Sequence, residues 1–358
     1  MQQHADDIDW KLTDHRYRRY RFDDSIRKEI DRLRPDNFHA LLALAQDYAI
    51  IAASIAACYL FWWVYPVAVL VIGARQRGLS TILHDSAHGV CAANRRLNKF
   101  LGTWPTAYPI FQRHYAYRLS HVQTHHPYLG NPVKDPDLSF FIREGVYTTA
   151  RDWKYFGRMI VLPFIGSRTL AYLRYLYINR FQHLTSANRS AAPRNQRPEV
   201  RRDNISFTLF WSTVVALCLV TGTWLDLILF WIVPYLTSFH ILGWFIELSE
   251  HTPHIADHEI DLYMSRNRKS RGVEKFLTGI HNDNHHLDHH LDTRTPFWLL
   301  PKAREARMRD RNYAAIDADT GGLFTKGPNG APSAVSRILA ARRESSQLVS
   351  CAPGAAHR

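Results

Sequence analysis

Two long apolar stretches separate three polar parts of the chain. The first runs from about residue 39 to 72 and the second from about residue 205 to 251. A single helix over the first stretch would be about 50 Å long, whereas the hydrocarbon core of a bilayer is about 30 Å thick. We therefore expect each apolar stretch to turn back on itself as a helical hairpin.

Both turns are marked in the sequence. Residues 61–66, Phe-Trp-Trp-Val-Tyr-Pro, combine a proline break with aromatic side chains typical of a membrane interface. The second turn, Thr221–Asp226, contains Trp224. The sequence thus predicts four membrane-spanning helices, at about 41–62, 66–83, 205–221 and 227–251.

This pattern predicts an all-α integral membrane protein of two transmembrane hairpins with a helical, histidine-rich cytoplasmic cap. We expect a cytoplasmic N-terminal segment at 1–38 and a membrane domain at 39–305. The residues from about 326 onward are rich in Ala, Ser, Gly, Pro and Arg. We therefore expect the polar C-terminal part, 306–358, to be largely disordered. The alternative for the apolar stretches is the core of a soluble protein.

The charge distribution favours the membrane interpretation. A net charge of +13 would suit nucleic-acid binding, but no Lys or Arg occurs in Pro35–Ala74 or in Asp203–Ser265, the parts that hold the apolar stretches. Basic residues confined to the flanking segments are typical of the cytoplasmic side of a multi-pass protein. We expect a bacterial inner-membrane protein with its active site on the cytoplasmic side and no nucleic-acid partner.

Eight of the twenty histidines fall in three short clusters on the expected cytoplasmic face: His84–His88, His121–His126 and His286–His290. The spacing of four residues in the first cluster places both imidazoles on one face of a helix. Imidazole is a common ligand of iron, copper and zinc. Since one ion takes about four to six ligands, eight histidines indicate two metal ions.

These clusters, HDSAH, HVQTHH and HLDHH, resemble the three histidine boxes of the membrane fatty acid desaturase and hydroxylase superfamily. The similarity extends through Asp135–Asp137, Leu277–Leu291 and Leu300–Lys302. The resemblance implies two iron ions as cofactor, and oxidation of an unactivated C–H bond by O2. It also implies a lipid or acyl substrate and an external electron donor, either a ferredoxin or a cytochrome with its reductase.

The family often adds a ligand at the cytoplasmic end of the fourth helix, where Glu247 and His251 lie. The resemblance thus implies nine metal ligands: His84, His88, His121, His125, His126, His251, His286, His289 and His290. The alternative for His251 is a helix cap. Glu247 could bind metal, hold a water molecule or orient His251. Candidates for hydrogen bonding to the ligands are Glu247, Asp85, Asp135 and Asp288. His114, His281 and His285 lie near enough in sequence to replace a ligand.

The expected reaction is desaturation of a fatty acyl lipid. The second box reads H-x3-HH, whereas many desaturases have H-x2-HH, and relatives that hydroxylate alkanes also use the longer spacing. A hydroxylase or ketolase of a lipid, carotenoid or small biosynthetic intermediate is therefore the alternative, and a membrane metal carrier is a third hypothesis. The chain has no Rossmann glycine motif and no iron–sulfur cysteine spacing, so electrons must come from a separate protein.

Overall fold

The computed structural model describes residues 17–148, 152–181, 197–253, 255 and 258–341. Over these residues the chain is helical, with no β-structure apart from an isolated parallel bridge between Arg18 and Ile260. The α-helices are α1 (Asp24–Ile30), α2 (His39–Leu60), α3 (Tyr65–His88), α4 (Arg95–Thr103), α5 (His114–Tyr117), α6 (Pro136–Arg143), α7 (Asp152–Phe156), α8 (Thr169–Leu176), α9 (Arg197–Thr221), α10 (Trp224–Leu227), α11 (His240–His251), α12 (Gly272–Thr278), α13 (His286–Leu291), α14 (Leu300–Arg307), α15 (Arg311–Ala318) and α16 (Ala334–Ala341). Stretches of π-helix are Arg118–His125, Gly157–Val161, Tyr177–Phe181, Ile228–Ile232 and Tyr235–Phe239, and short 3-10 helices are Trp62–Val64, His126–Tyr128, Leu162–Ile165, Asp261–Tyr263, Ile280–Asn282 and Phe297–Leu299.

Helices lie at all four positions where membrane spans were predicted. They are α2, α3, α9 and a fourth long helix, Trp224–His251, that joins α10 to α11 through two π-helical stretches. Pro234 separates those two stretches, because its missing N–H interrupts the regular hydrogen-bond ladder. Three of the four, α2, α9 and the fourth, are long and apolar enough to cross a membrane. The helix α3 is more polar, since Arg75, Gln76 and Arg77 interrupt its apolar sequence.

The central helix is α3, which packs against α2, α4 and the fourth long helix. Gly73 permits a close approach to the fourth helix, because a Cβ there would lie 2.0 Å from Ser238 Oγ. Toward the histidine-bearing end, Arg75 forms a buried ion pair with Asp47 of α2 at 3.5 Å. Asp47 also lies 2.7 Å from His281 Nε2, so one carboxylate ties both helices to the third histidine region.

The C-terminal part is folded as far as residue 341, contrary to the disorder predicted for 306–358. Tyr313 on α15 is fully buried, and Leu323 and Ile338 belong to the largest apolar cluster of the described residues. The prediction was wrong here because these few apolar side chains are widely spaced in a polar sequence. Their apolar partners lie far away in the chain, mostly between residues 129 and 176 and between residues 241 and 264. Residues 342–358 lie outside the described residues.

Candidate metal centre

The first pair of histidines lies on the last turn of α3. His84 and His88 are one helical turn apart, and their ring centroids are separated by 4.9 Å. The helix ends at Gly89, whose φ of 83° is the left-handed conformation that glycine adopts without strain. Both imidazoles therefore lie on one face at the end of this helix.

The second cluster lies on the π-helix Arg118–His125 and the 3-10 turn that follows it. The wider turn of a π-helix accommodates one more residue than an α-helical turn does. His121 and His126, five residues apart, consequently face each other with their Nε2 atoms 3.1 Å apart. This local widening accounts for the longer H-x3-HH spacing without displacing a histidine from the site.

The third cluster lies on the short helix α13, opposite the end of α11. His286 Nε2 lies 2.9 Å from His251 Nε2 and 3.0 Å from His290 Nε2. The Nδ1 atom of His251 lies 3.1 Å from the carbonyl oxygen of Met264, which leaves Nε2 directed at the other rings. His251 is thus part of the histidine assembly rather than a cap facing solvent.

All nine histidines singled out by the sequence lie together in two adjoining groups. Ligand atoms of five of them lie within 4.8 Å of one another: His84, His88, His121, His126 and His289. The second group comprises His125, His251 and His290, together with His286 through its contacts with His251 and His290. The rings of His126 and His290 stack at 4.4 Å and connect the two groups. Two such groups fit two metal ions.

The chemistry of this donor set suits metal binding. Nine imidazoles converge with their ring nitrogens, and His88 Nε2 is buried without a hydrogen-bond partner among the described residues. An unpaired buried polar atom is costly unless something absent from the protein part of the structure satisfies it. A first-row transition metal bound to this nitrogen atom would do so.

Burial keeps most of these rings neutral, as metal ligation requires. Desolvation, followed by repulsion from neighbouring imidazoles, lowers the pKa well below the ordinary histidine value for His121, His126, His286, His289 and His290. Burial also lowers the pKa of His125, but the Asp135 and Asp137 carboxylates outweigh it and raise that pKa to about 9. In the metal-free protein these carboxylates therefore favour the charged form of His125.

The four predicted hydrogen-bonding acids have different surroundings. Asp135 lies 2.9 Å from His125 Nδ1, and Asp85 lies 3.2 Å from His84 Nδ1 while accepting a hydrogen bond from the backbone of Phe297. These two contacts fix which ring nitrogen faces the centre. Glu247 instead pairs with Arg77 at 3.1 Å, and it belongs to neither histidine group.

Asp288 is the fourth of these acids, and it joins the third cluster to the C-terminal part. It lies 3.3 Å from His285 Nδ1 and accepts hydrogen bonds from Asn267, Arg307 and Tyr313. None of these partners is one of the nine histidines. Asp288 therefore connects α13 to the C-terminal part through its hydrogen bonds with Arg307 and Tyr313.

The three histidines that could have replaced a metal ligand contact other residues instead. His114 Nε2 lies 3.0 Å from Ser86 Oγ, and His281 lies against Asp47. His285 faces Asp288, as described above. None of them belongs to the two histidine groups.

Comparison with known proteins agrees with this geometry. The family model described as "Fatty acid desaturase" matches residues 60–318. The chain is 47% identical over 330 residues to the dihydrorhizobitoxine desaturase of Bradyrhizobium elkanii, covering 92% of each chain. It is 27% identical over 258 residues to the sn-1 acyl-lipid omega-3 desaturase (ferredoxin) of Synechocystis sp., covering 68% of this chain and 67% of the relative.

The chain belongs to the fatty acid desaturase family. The resemblance inferred from the histidine boxes is thereby confirmed, and the protein is an oxidoreductase. In this family member the histidines that could hold metal lie beside the ends of helices that could cross a membrane.

A cavity of about 100 Å³ in this member of the desaturase family adjoins both histidine groups. Its walls include five of the nine histidines, and most of the remaining wall is polar or aromatic. Sequence reasoning missed the polar residues Arg77, Gln112, Tyr172 and Arg180 of this wall. They lie singly on three helical segments and one loop, so no spacing connects them. The one available signal was the unusual position of Arg77 beside an apolar stretch.

Proposed function

We propose that the protein is a membrane di-iron desaturase that introduces a carbon–carbon double bond with O2 and two external electrons. The observation that carries the proposal is the convergence of nine histidines into two adjoining groups beside a cavity, in a member of the desaturase family. The nine histidines would hold two iron ions. When bound, the irons supply the oxidising power that removes hydrogen from an unactivated carbon.

The electron balance requires a reductant. The substrate loses two hydrogens from adjacent carbons, and O2 takes up these hydrogens, two external electrons and two protons to give two water molecules. An acidic ferredoxin is the proposed donor, since this chain carries a net charge of +13 and the Synechocystis relative has ferredoxin in its name. Opposite charges would steer donor and enzyme together.

We also infer that α3 crosses the membrane, in addition to α2, α9 and the helix Trp224–His251. Its N-terminal ten residues are apolar, and it connects the Trp62–Val64 turn to the histidine-bearing face. All three boxes would then lie on the cytoplasmic side. Alkaline phosphatase fused after Trp63 should be active, and the same enzyme fused after Asn94 should be inactive. Activity at both fusions would contradict the hairpin.

The first substrate to assay is dihydrorhizobitoxine. The relative named dihydrorhizobitoxine desaturase is 47% identical over 92% of this chain. A fatty acyl lipid is the second, as the family resemblance suggested. The protein should be purified, loaded with iron and supplied with ferredoxin, ferredoxin reductase and NADPH. Substrate-dependent O2 consumption with loss of two hydrogens from the product supports the proposal.

The same assay separates the alternatives. A product that has gained one oxygen atom would establish the hydroxylase hypothesis instead. Binding of about two metal ions without any O2 consumption, for either substrate, would favour a metal carrier and contradict the proposed reaction. Protein carrying zinc in place of iron is the control, because zinc has no redox chemistry.

A further inference from the structure

Three buried polar side chains in the cavity wall have atoms without hydrogen-bond partners. They are Arg180, Gln112 and Tyr172, whose exposed fractions are 5%, 4% and 2%. The unpartnered atoms, among the described residues, are Nε and Nη1 of Arg180, Oε1 of Gln112 and the hydroxyl of Tyr172. Buried polar atoms are seldom left unpaired, so several in one cavity wall indicate a polar ligand.

Arg180 is the cavity-lining cation that no carboxylate neutralises within the described structure. The other arginine of the wall, Arg77, is paired with Glu247 at 3.1 Å. The guanidinium of Arg180 instead lies over the ring of Tyr117, at 4.6 Å from its centroid. This contact orients the guanidinium but leaves its charge without a counter-ion.

The acids of the wall already have partners. Glu250 and Asp283 both lie near Arg268, at 3.3 and 3.0 Å. Asp137 accepts a hydrogen bond from Tyr175 and lies 3.3 Å from His125 Nδ1. The acids of the wall thus have close partners, whereas Arg180 is a cation of the wall without a carboxylate partner among the described residues, and an anionic ligand group would supply one.

The backbone supports a specific geometry at two of these residues. Arg180 lies in the π-helix Tyr177–Phe181, and its carbonyl oxygen accepts a hydrogen bond from Arg113 Nη2. Gln112 follows Phe111, whose φ of 57° is unfavourable for a residue with a side chain. Widened helices and strained backbone persist where the surrounding structure needs a side chain in one place.

We propose that Arg180 binds a carboxylate group of the substrate, and that the substrate is a compact polar acid rather than an extended acyl chain. The inference rests on the proposed function, since it assumes that the cavity beside the histidines receives the substrate. Guanidinium N–H groups match a carboxylate in charge and shape. Gln112 Oε1 accepts a hydrogen bond from a donor beside that carboxylate. A volume of about 100 Å³ is small beside the ~300–1,000 Å³ of pockets for drug-sized ligands, which fits a compact molecule.

Binding of three six-carbon probes to the iron-loaded protein tests this proposal. Hexanoate carries the carboxylate alone, 1-hexanol lacks it, and norleucine adds an ammonium group beside it. By anaerobic calorimetry, hexanoate should bind about ten-fold or more tightly than 1-hexanol, and norleucine more tightly than hexanoate. Equal binding of hexanoate and 1-hexanol would overturn the proposal without any variant.

The matched variants are Arg180→Gln and Arg174→Gln. Arg174 lies six residues earlier on the same continuous helical segment and is exposed. Arg180→Gln should weaken hexanoate binding by roughly ten- to hundred-fold, whereas Arg174→Gln should leave it unchanged. Arg180→Lys should retain part of the affinity, which also covers the case in which the glutamine variant does not fold. Hexanoate binding that survives Arg180→Gln would place the carboxylate on the metal and contradict the role of Arg180.

Failure of this inference can be told apart from failure of the proposed function. Iron-loaded protein that desaturates a phospholipid equally well with and without Arg180→Gln would retain the function and overturn the inference. Protein that binds hexanoate through Arg180 but never consumes O2 with any substrate would retain the inference and overturn the proposed function.

Discussion

The cavity beside the histidines and the pocket between the long helices have walls of opposite character. The cavity is small, about 100 Å³, and is lined by histidines, acids and arginines. The pocket measures about 350 Å³ and is lined largely by apolar residues of α2, α9 and the fourth long helix, such as Val214, Phe230 and Trp231. The two have no lining residue in common.

This difference bears on the substrate. An acyl chain would suit the apolar pocket, but no histidine lines that pocket. A polar molecule would suit the cavity, where five of the nine histidines lie. The family resemblance alone favoured an acyl lipid, whereas the wall of the cavity favours the small biosynthetic intermediate among the alternatives.

Removal of one histidine should disrupt metal binding beside the cavity and leave the apolar pocket intact. The His289 ring lies 4.2 to 5.0 Å from the rings of His84, His88 and His126. His289→Ala should lose about one iron ion per chain and at least about 100-fold in turnover, because even an outer partner of a metal ligand contributes about 10–100-fold. Metal analysis and product formation measure the two effects. The control is His258→Ala, since His258 is exposed and should retain both properties; two irons retained in His289→Ala would contradict the assignment.

The buried carboxylate of Asp288, in the third histidine cluster, should affect the stability of the protein rather than the reaction it catalyses. Asp288 is fully buried and pairs with Arg307 at 2.7 Å, and Arg307 is also buried. Asp288→Asn leaves the arginine charge uncompensated, which should lower the free energy of unfolding by about 3 kcal/mol. Denaturant unfolding in detergent measures the change.

The control for that variant is an exposed ion pair in the same part of the molecule. Glu29 pairs with Arg309 at 2.6 Å, with about half of each side chain exposed. Glu29→Gln should change stability by less than about 1 kcal/mol. If Asp288→Asn lowers the free energy of unfolding as little as Glu29→Gln does, the buried pair between Asp288 and the C-terminal part does not stabilise the site.

Eight of the nine histidines could be found from sequence because their spacing is local, whereas His251 was added through the family resemblance. Residues four apart on a helix share a face, so His84 and His88 could be paired without knowledge of the fold. The turn between the first two helices was equally visible, since its aromatic and proline residues are adjacent. Each of these signals lies within a few residues of chain.

The cavity wall and the folded C-terminal part depend on contacts between distant residues. Arg77 contacts Glu247 across 170 residues, and Arg180 lies on the π-helix Tyr177–Phe181, far from both in sequence. No periodic pattern connects such residues, and their role depends on which partners are already paired. The same holds for Tyr313, which packs against Leu262 and Leu287 and donates its hydroxyl to Asp288.

Release of the second cavity arginine should tighten binding of an anion. Glu247 is paired with Arg77 and belongs to neither histidine group. Glu247→Gln should therefore retain both irons and bind hexanoate roughly two- to ten-fold more tightly, since it frees a second positive charge. Arg77→Gln is the opposite control and should weaken hexanoate binding. Loss of iron from Glu247→Gln would instead make Glu247 a metal ligand.

Filling the apolar pocket should have the smallest effect. Val214 lines the pocket, whereas its neighbour Val215 is exposed on the outer surface of α9. If the substrate is a compact polar acid, Val214→Trp and Val215→Trp should each change kcat/KM by less than about two-fold, because neither residue lies near the histidine cavity. Steady-state kinetics on the desaturated product measure this. A loss of turnover confined to Val214→Trp would mean that the apolar pocket holds part of the substrate, and the acyl-lipid hypothesis would then be preferred.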